Sequence, residues 1–223
     1  MQGRIYSIFM EEAGMAILDD ISAKLQAGKR KDVAALCQQA LEEGVSAADI
    51  LNNGLLAGMD IVGVKFKANE VFVPQVLVAA KAMNAGVEVL KPYLAEGGAS
   101  PRGRVVLGTV EGDLHDIGKN LVKLMFEGKG FEVIDLGVDV PADKFIDTAI
   151  EHDCRIIACS ALLTTTMPKL KEVVKKAEER GVRDRFIIMV GGAPVTKEYC
   201  ESIGADLYTP DATSAAERAA QLL

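Results

Sequence analysis

Residues 111–120 contain the side chains best suited to chemistry. His115 is one of only two histidines in the sequence, and Asp113 lies two residues before it. A neutral imidazole is a good transition-metal ligand, and a carboxylate bonded to its other nitrogen fixes the tautomer and raises the basicity of the ligand. The pattern predicts that His115 binds a metal ion. Because two histidines cannot form a multi-histidine site, we expect the metal to arrive inside a larger cofactor.

The surrounding sequence predicts that this stretch is a loop from a strand to a helix. Residues 104–110 form an apolar run typical of a buried strand, and Leu121, Leu124 and Met125 follow at helical spacing. Open α/β sheets bind ligands at the carboxyl ends of their strands. We therefore expect a ligand site at this edge of the sheet.

Two further loops are predicted to meet the first at the same edge, one after the third strand and one after the fourth. Their residues of interest are Ser160, Leu162, Thr164, Thr166, Gly191 and Gly192. A hydroxyl beside the carboxylate could complete a proton relay, and glycines let the backbone approach a bulky group closely. Simpler alternatives are that the threonines only cap the next helix and that the glycine pair is an ordinary turn.

The apolar pattern changes near residue 100 and divides the chain into two domains. Residues 1–97 have the spacing of four short-looped helices, with Ser46 capping the third and Pro74 in the first turn of the fourth. After a Gly- and Pro-containing linker at 97–103, residues 98–223 alternate strands and helices. The predicted fold class is α/β: an N-terminal four-helix bundle followed by a flavodoxin-like, Rossmann-type domain with a five-stranded parallel sheet.

Composition excludes several classes of function. The chain has 25 basic and 32 acidic residues, which argues against a nucleic-acid surface. No window approaches 18 uninterrupted apolar residues, so we expect no membrane partner. The four cysteines form no CxxC pair, and we expect reduced core thiols in a cytoplasmic protein.

The stretch from Gly112 to Lys119 superficially looks like a phosphate-binding P-loop. Five residues separate its glycines instead of four, and Asn120 stands where a magnesium-binding Ser or Thr is needed. The two aspartates of the stretch would also repel a triphosphate. A receiver-type signalling domain shares the strand order, but it would not explain the helical half of the chain.

Three motifs in order resemble the signature of cobalamin-binding domains. They are Asp113-x-His115-x-x-Gly118, Ser160-x-Leu162 and Gly191-Gly192. The wider string over residues 112–120 is similar to the version in cobalamin-dependent methionine synthase and in corrinoid proteins of methyltransferase systems. The similarity continues through residues 135–141, and residues 72–75 resemble the start of a cap helix over the cobalt. The resemblance spans nearly the whole chain.

The resemblance implies a role for each residue of the site. His115 would be the lower axial ligand of the cobalt in place of the cofactor's own base, with Asp113 bonded to it. Thr166 stands where methionine synthase has a serine as third member of the relay. Other implied cobalamin contacts are Asp116, Ile117, Gly118 and Thr164, with Ser160, Leu162, Gly191 and Gly192 lining a channel for the nucleotide tail and Phe72 facing the cobalt's upper side from the cap.

The implied function is that of a corrinoid methyl carrier. It would shuttle a methyl group between a substrate-specific methyltransferase and a second methyltransferase, with a reductive activase as a further partner. The chain has no room for the barrel domains that bind methyl donor or acceptor, so we expect a carrier subunit. Two alternatives stay open: a cobalamin-dependent sensor or regulator, and the small subunit of an adenosylcobalamin mutase.

Overall fold

The computed structural model describes residues 15–96 and 101–223. The chain divides into two compact units between Ser100 and Pro101. The predicted domain boundary after residue 97, and residues 97–100 of the predicted linker, lie outside the described residues. Within the described ranges, no helix is long and apolar enough to cross a membrane.

Over residues 15–96, the N-terminal unit forms four helical stretches, as predicted. Residues 15–26 form α1. The other elements are α2 (Arg30–Glu42), α3 (Ala47–Asp49), a π-helical segment (Ile50–Leu56), α4 (Ala57–Lys67) and α5 (Val73–Glu96). The third stretch is formed by α3, the π-helical segment and α4 in direct succession. The Ser46 hydroxyl accepts the Asp49 backbone N–H at 3.0 Å, which confirms the predicted cap, and Pro74 lies in the first turn of α5.

Small residues let the helices of this unit approach closely. A Cβ built on Gly54 would lie 3.1 Å from Ile21 Cγ2, and one built on Gly58 would lie 3.1 Å from the Ser22 Cα. The third helical stretch therefore packs directly against α1, while α2 packs along α5. Ile21 and Leu25 of α1 are completely buried.

The C-terminal unit alternates strands and helices along the chain. Its elements are β1 (Arg104–Thr109), α6 (Ile117–Gly128), β2 (Glu132–Asp135), α7 (Ala142–Glu151), β3 (Ile156–Ser160), α8 (Met167–Glu179), a 3-10 turn (Arg183–Arg185), β4 (Ile187–Gly191), α9 (Lys197–Ser202), β5 (Leu207–Tyr208) and α10 (Ala212–Leu222). All strand pairs are parallel, and their order is β2-β1-β3-β4-β5. This order confirms the predicted flavodoxin-like sheet.

Alternate residues of the central strands face opposite layers of helices. Val106, Ile157 and Ile188 are neighbours across three strands and belong to the core that includes α7 and α8. Leu107, Ala158 and Met189 form the next row and face the other side, where α6 and α10 lie. The strands are thus apolar on both faces, which is why the sequence shows continuous apolar runs.

The first turn of α6 gives no spacing signal in the sequence. Helix α6 begins at Ile117, ahead of the helically spaced Leu121, Leu124 and Met125, and Pro141 precedes α7 as its cap residue. Ile117 is 77% exposed. The first turn of α6 therefore carries no buried apolar stripe, and spacing alone could not locate it.

Gly192 sits where two loops approach each other most closely. Its φ of 128° is a conformation that favours glycine. A Cβ at this position would lie 1.8 Å from the Ala161 carbonyl oxygen, whereas a Cβ at Gly191 would meet no heavy atom within 4 Å. The absence of a side chain at Gly192 therefore serves the contact between the loops that follow β3 and β4.

We expect Gly192→Ala to lower the free energy of unfolding by about 3 kcal/mol or more, because it combines backbone strain with a backbone clash. Gly191→Ala is the matched control and should change stability by no more than about 0.5 kcal/mol. Urea denaturation followed by circular dichroism measures both. Equal stability of the two variants would contradict the close approach.

Candidate functional site

Asp113 is the buried centre of the site. The residue is completely buried, yet its carboxylate receives hydrogen bonds from two of the three loops that the sequence predicted to converge. Oδ1 accepts from His115 Nδ1 at 2.7 Å and from the His115 backbone N–H at 3.1 Å. Oδ2 accepts from the Leu162 N–H and the Thr166 hydroxyl, each at 2.7 Å. The first loop and the loop after β3 are therefore joined through one side chain.

These hydrogen bonds decide the charge of Asp113. Burial by itself would raise the pKa of this carboxyl. The backbone N–H of Leu162, the hydroxyl of Thr166 and the imidazole of His115 outweigh burial and hold the pKa of Asp113 far below its usual range. Asp113 is therefore an anion at neutral pH.

The charge of Asp113 fixes the tautomer of His115. An ionised carboxylate can only accept hydrogen bonds, so in the neutral imidazole of His115 the proton is on Nδ1 and the lone pair is on Nε2. The His115 side chain is 50% exposed, and within the described parts of the chain Nε2 has no hydrogen-bond partner. An imidazole held in this way presents an oriented ligand atom to the outside.

The contacts of Thr166 distinguish the two roles that the sequence allowed for the threonines, a cap of the next helix or a hydroxyl beside the carboxylate. It is the cap residue of α8, but its side chain makes no capping hydrogen bond to that helix. The hydroxyl lies instead against Asp113 Oδ2 and 2.9 Å from the Leu163 carbonyl oxygen. Thr166 thus faces the Asp113–His115 pair, and a cap of α8 does not explain its side chain.

The sequence reasoning missed the buried ion pair between Lys119 and Asp135. The Lys119 side chain is 2% exposed, and its ammonium donates to Asp135 Oδ1 at 2.6 Å and to Asn120 Oδ1 at 2.8 Å. Burial opposes ionisation of Asp135, but Lys119 holds the pKa of that carboxyl below its usual value. The pair ties the first turn of α6 to the end of β2. The only sequence feature that indicated this pair was Asp135, an acidic residue at the end of the apolar run of β2.

Within the described residues, the site offers one outward-facing imidazole and not a cluster of metal ligands. Among the described residues, no group of three or more His, Cys, Asp or Glu side chains converges on one point. A single imidazole can instead complete the coordination of a metal that other ligands already hold. The same two loops expose large apolar side chains, namely Leu114 (72%), Ile117 (77%), Leu162 (39%) and Leu163 (41%). Such a surface suits a broad, largely apolar group.

A cavity of about 200 Å³ opens at the same edge of the sheet. Gly118, Ser160, Gly191 and Gly192 contribute to its wall, together with the Leu107, Ala158 and Met189 row and residues 209–212. A Cβ at Gly118 or Gly191 would meet no protein atom within 4 Å. The glycines therefore leave space that a bound group can occupy.

Cys159 also lines this cavity. All four cysteines of the chain are buried and unpaired. Burial raises the pKa of Cys154 to about 11 and that of Cys159 well above its usual range. These thiols are therefore neutral, as the predicted reduced core cysteines would be.

The remaining predicted residues occupy different positions. Asp116 precedes α6 and accepts from the Asn120 side-chain amide at 3.0 Å, and Thr164 is exposed in the loop after β3. Phe72 belongs to the N-terminal unit, where it precedes α5 and is 61% exposed. Its predicted place on the cobalt's upper side stays a prediction, as do the individual cofactor contacts of the other residues.

Comparison with known proteins agrees with the chemistry of the site. Residues 103–220 match a family model described as a B12 binding domain, and residues 17–91 match a second model with the same description. The chain belongs to the B12-binding corrinoid proteins. The predicted family and the predicted cobalamin cofactor are thereby confirmed.

Similar proteins cover nearly the full length of the chain. A corrinoid protein of Desulfitobacterium hafniense is 41% identical over 94% of this chain and 98% of its own length. Dimethylamine corrinoid protein 1 of Methanosarcina acetivorans is 42% identical over 93% of this chain and 97% of its own. A chain of the methanol:cobalamin methyltransferase complex of Methanosarcina barkeri has a TM-score of 0.83 at 31% identity, covering 93% of this chain and 79% of that one. These relatives confirm the predicted class, corrinoid proteins of methyltransferase systems.

We expect Thr166→Val to lower the free energy of unfolding at pH 7 by about 1.5–3 kcal/mol, because the buried carboxylate loses a donor. Thr166→Ser keeps the hydroxyl and is the control. The pKa of Asp113 is lower in the folded protein than in the unfolded chain, where it is about 3.9. The stabilisation is therefore present above about pH 4 and is lost as the pH falls further, so the gap between wild type and Thr166→Val should close on acidification. Urea denaturation across pH tests this, and Val and Ser variants of equal stability at pH 7 would contradict it.

Proposed function

We propose that this protein is a methyl carrier whose cobalamin is held from below by His115. The observation that supports this most directly is the Asp113–His115 pair, which leaves Nε2 as an outward-facing ligand atom on a chain of the B12-binding family. Cobalamin, when bound, supplies a cobalt ion that can take up a methyl group and give it away again. The protein's residues orient that cofactor and control its lower ligand.

His115 provides the lower ligand in this proposal. The Asp113 carboxylate holds the Nδ1 proton in place, and the Thr109 hydroxyl donates to the His115 carbonyl oxygen at 2.9 Å. Both the ring and the backbone of His115 are therefore restrained. The ligand atom does not need to be ordered when the cofactor arrives.

Asp113 couples metal binding by His115 to protonation of its imidazole. An imidazole that leaves the metal can take up a proton at Nε2, and a neighbouring carboxylate favours the charged form. Thr166 and the Leu162 N–H keep Asp113 ionised for this purpose. The strength with which His115 holds the metal is thereby coupled to the hydrogen bonds of a buried carboxylate.

The cavity beside Ser160 and Gly191 is the proposed place for the nucleotide tail that His115 displaces. Its wall contains Gly118, Ser160, Gly191 and Gly192, and the Gly118 and Gly191 positions leave open space. The exposed apolar side chains of the two loops, Leu114, Ile117, Leu162 and Leu163, would lie against the corrin ring. Asp116 and Thr164 are the polar residues proposed to lie at the edge of the corrin ring.

The proposed partners are two methyltransferases, one that loads the carrier from a small methylated substrate and one that unloads it, together with a reductive activase. The names of the relatives support a methyltransferase partner, since they refer to dimethylamine and to methanol:cobalamin methyltransferase. By analogy with these relatives, we propose a methylated amine or methanol as the donor class. Specificity for one of these lies in the partner enzyme.

We expect protein labelled with ¹⁵N-histidine to show altered nitrogen hyperfine splitting in the electron paramagnetic resonance spectrum of its cobalt(II) form. Only a histidine ligand responds to this label, because the cofactor's own base stays unlabelled. His115→Ala should lose the protein-derived splitting. His152→Ala, which removes the other histidine, should keep it. A spectrum that the label leaves unchanged would refute the ligand assignment.

Protein loaded with methylcobalamin should lose its methyl group to an acceptor methyltransferase of a methylamine or methanol system, as followed by absorbance. We expect Asp113→Asn to slow this transfer about 10- to 100-fold, because the imidazole loses its orienting carboxylate. Asp147→Asn, at an exposed ion pair with Arg180, is the control and should transfer normally. No transfer by wild type to any acceptor of these systems would count against a carrier and favour a sensor.

A further inference from the structure

Asp139 has an unusual backbone conformation next to the His115 loop. It lies between β2 and α7, and its φ is 55°, in the left-handed region that few residues other than glycine adopt. Asp and Asn tolerate this region better than other side chains, but they still occupy it at a cost. Asp139 thus carries a side chain at a position that glycine would occupy at lower cost, and the contacts of that side chain distinguish it.

Both ends of Asp139 contact the loop that carries His115. Its backbone N–H donates to the Asp113 carbonyl oxygen at 3.0 Å, and its Oδ1 accepts the Gly112 N–H at 2.7 Å. The two hydrogen bonds bracket the backbone from Gly112 to Asp113. Gly112 itself has a φ of 80°, so the loop turns sharply where Asp139 holds it.

The position of Asp113 is thus fixed from two sides. The loop after β3 holds its carboxylate through Leu162 and Thr166, and Asp139 holds its backbone. The imidazole of His115 is hydrogen-bonded to the Asp113 carboxylate. A shift of the Gly112–Asp113 backbone would therefore also move Nε2 of His115. Shifts of about 1 Å are enough to impair a preorganised site.

We propose that Asp139 is a positioning residue that sets the strength of His115 ligation by clamping the backbone of Gly112 and Asp113. The inference rests on the proposed role of His115 as cobalt ligand. It gives Asp139 no contact with the cofactor. The clamp combines a left-handed backbone, which aims the N–H at Asp113, with a carboxylate that reaches Gly112.

Three substitutions separate the two parts of the clamp. Asp139→Asn keeps an acceptor oxygen and tolerates the left-handed conformation. Asp139→Gly keeps the conformation but loses the acceptor, and Asp139→Ala loses the acceptor and resists the conformation. Asp153→Gly is the matched control, because Asp153 is also left-handed and exposed, at φ 52°, but lies in the turn between α7 and β3.

The first measurement uses the protein without cofactor. Amide hydrogen exchange by NMR should show the Gly112 N–H exchanging roughly three- to tenfold faster in Asp139→Gly than in wild type, since it loses its acceptor. Asp139→Asn and Asp153→Gly should leave this rate near the wild-type value. Unchanged exchange at Gly112 in Asp139→Gly would overturn the clamp without involving cobalamin.

The second measurement uses the cobalamin-loaded protein. The ratio of cobalt(II) with histidine nitrogen splitting to cobalt(II) without it should fall roughly three- to tenfold in Asp139→Gly and further in Asp139→Ala, with rescue by Asp139→Asn. Wild-type splitting with an unchanged ratio in Asp139→Gly would overturn the positioning role alone. Absence of splitting in wild type would instead refute His115 as ligand. An equal fall in Asp153→Gly would show a general loss of rigidity and overturn the assignment.

Discussion

The buried carboxylate of Asp113 accepts hydrogen bonds from the His115 imidazole, the Leu162 amide and the Thr166 hydroxyl. A buried charge without such donors would cost several kcal/mol, so the two loops cannot separate without exposing or neutralising it. The anion therefore organises the edge of the sheet. It also determines that Nδ1 of His115 bears a proton. One carboxylate therefore both joins the two loops and orients the imidazole.

The sequence allowed the main architecture to be predicted because that architecture follows from apolar spacing. The runs ending at Thr109, Ser160 and Gly191 place three loops at one edge once the strands are parallel, and Asp113, His115 and Thr166 do meet there. The convergence of these loops needs only strand direction and order. Side-chain chemistry within the loops then indicates a ligand site.

Other features could not be predicted, because they depend on distances between segments far apart in sequence. Lys119 lies on an amphipathic helix, and a lysine there is normally exposed; its burial follows from the position of Asp135. The contact of Gly192 with the Ala161 carbonyl, for which its missing Cβ makes room, also joins segments far apart in sequence. The π-helical segment Ile50–Leu56 also has no distinct spacing signal. For Lys119 and Gly192, the structural role depends on a contact residue that is distant in sequence, so the residue type alone does not predict it.

The neutral cysteines have a consequence for the fate of a transferable methyl group. Thiolates are strong nucleophiles and compete for electrophilic carbon, whereas protonated thiols react poorly. Cys159 is a wall residue of the cavity proposed for the cofactor tail, but it belongs to the core on the α7–α8 side of the sheet, and burial keeps its thiol protonated. A carrier whose thiols are all buried and protonated does not methylate its own sulfur. Its interior is chemically inert toward the cargo, which remains available for the enzyme that is meant to receive it.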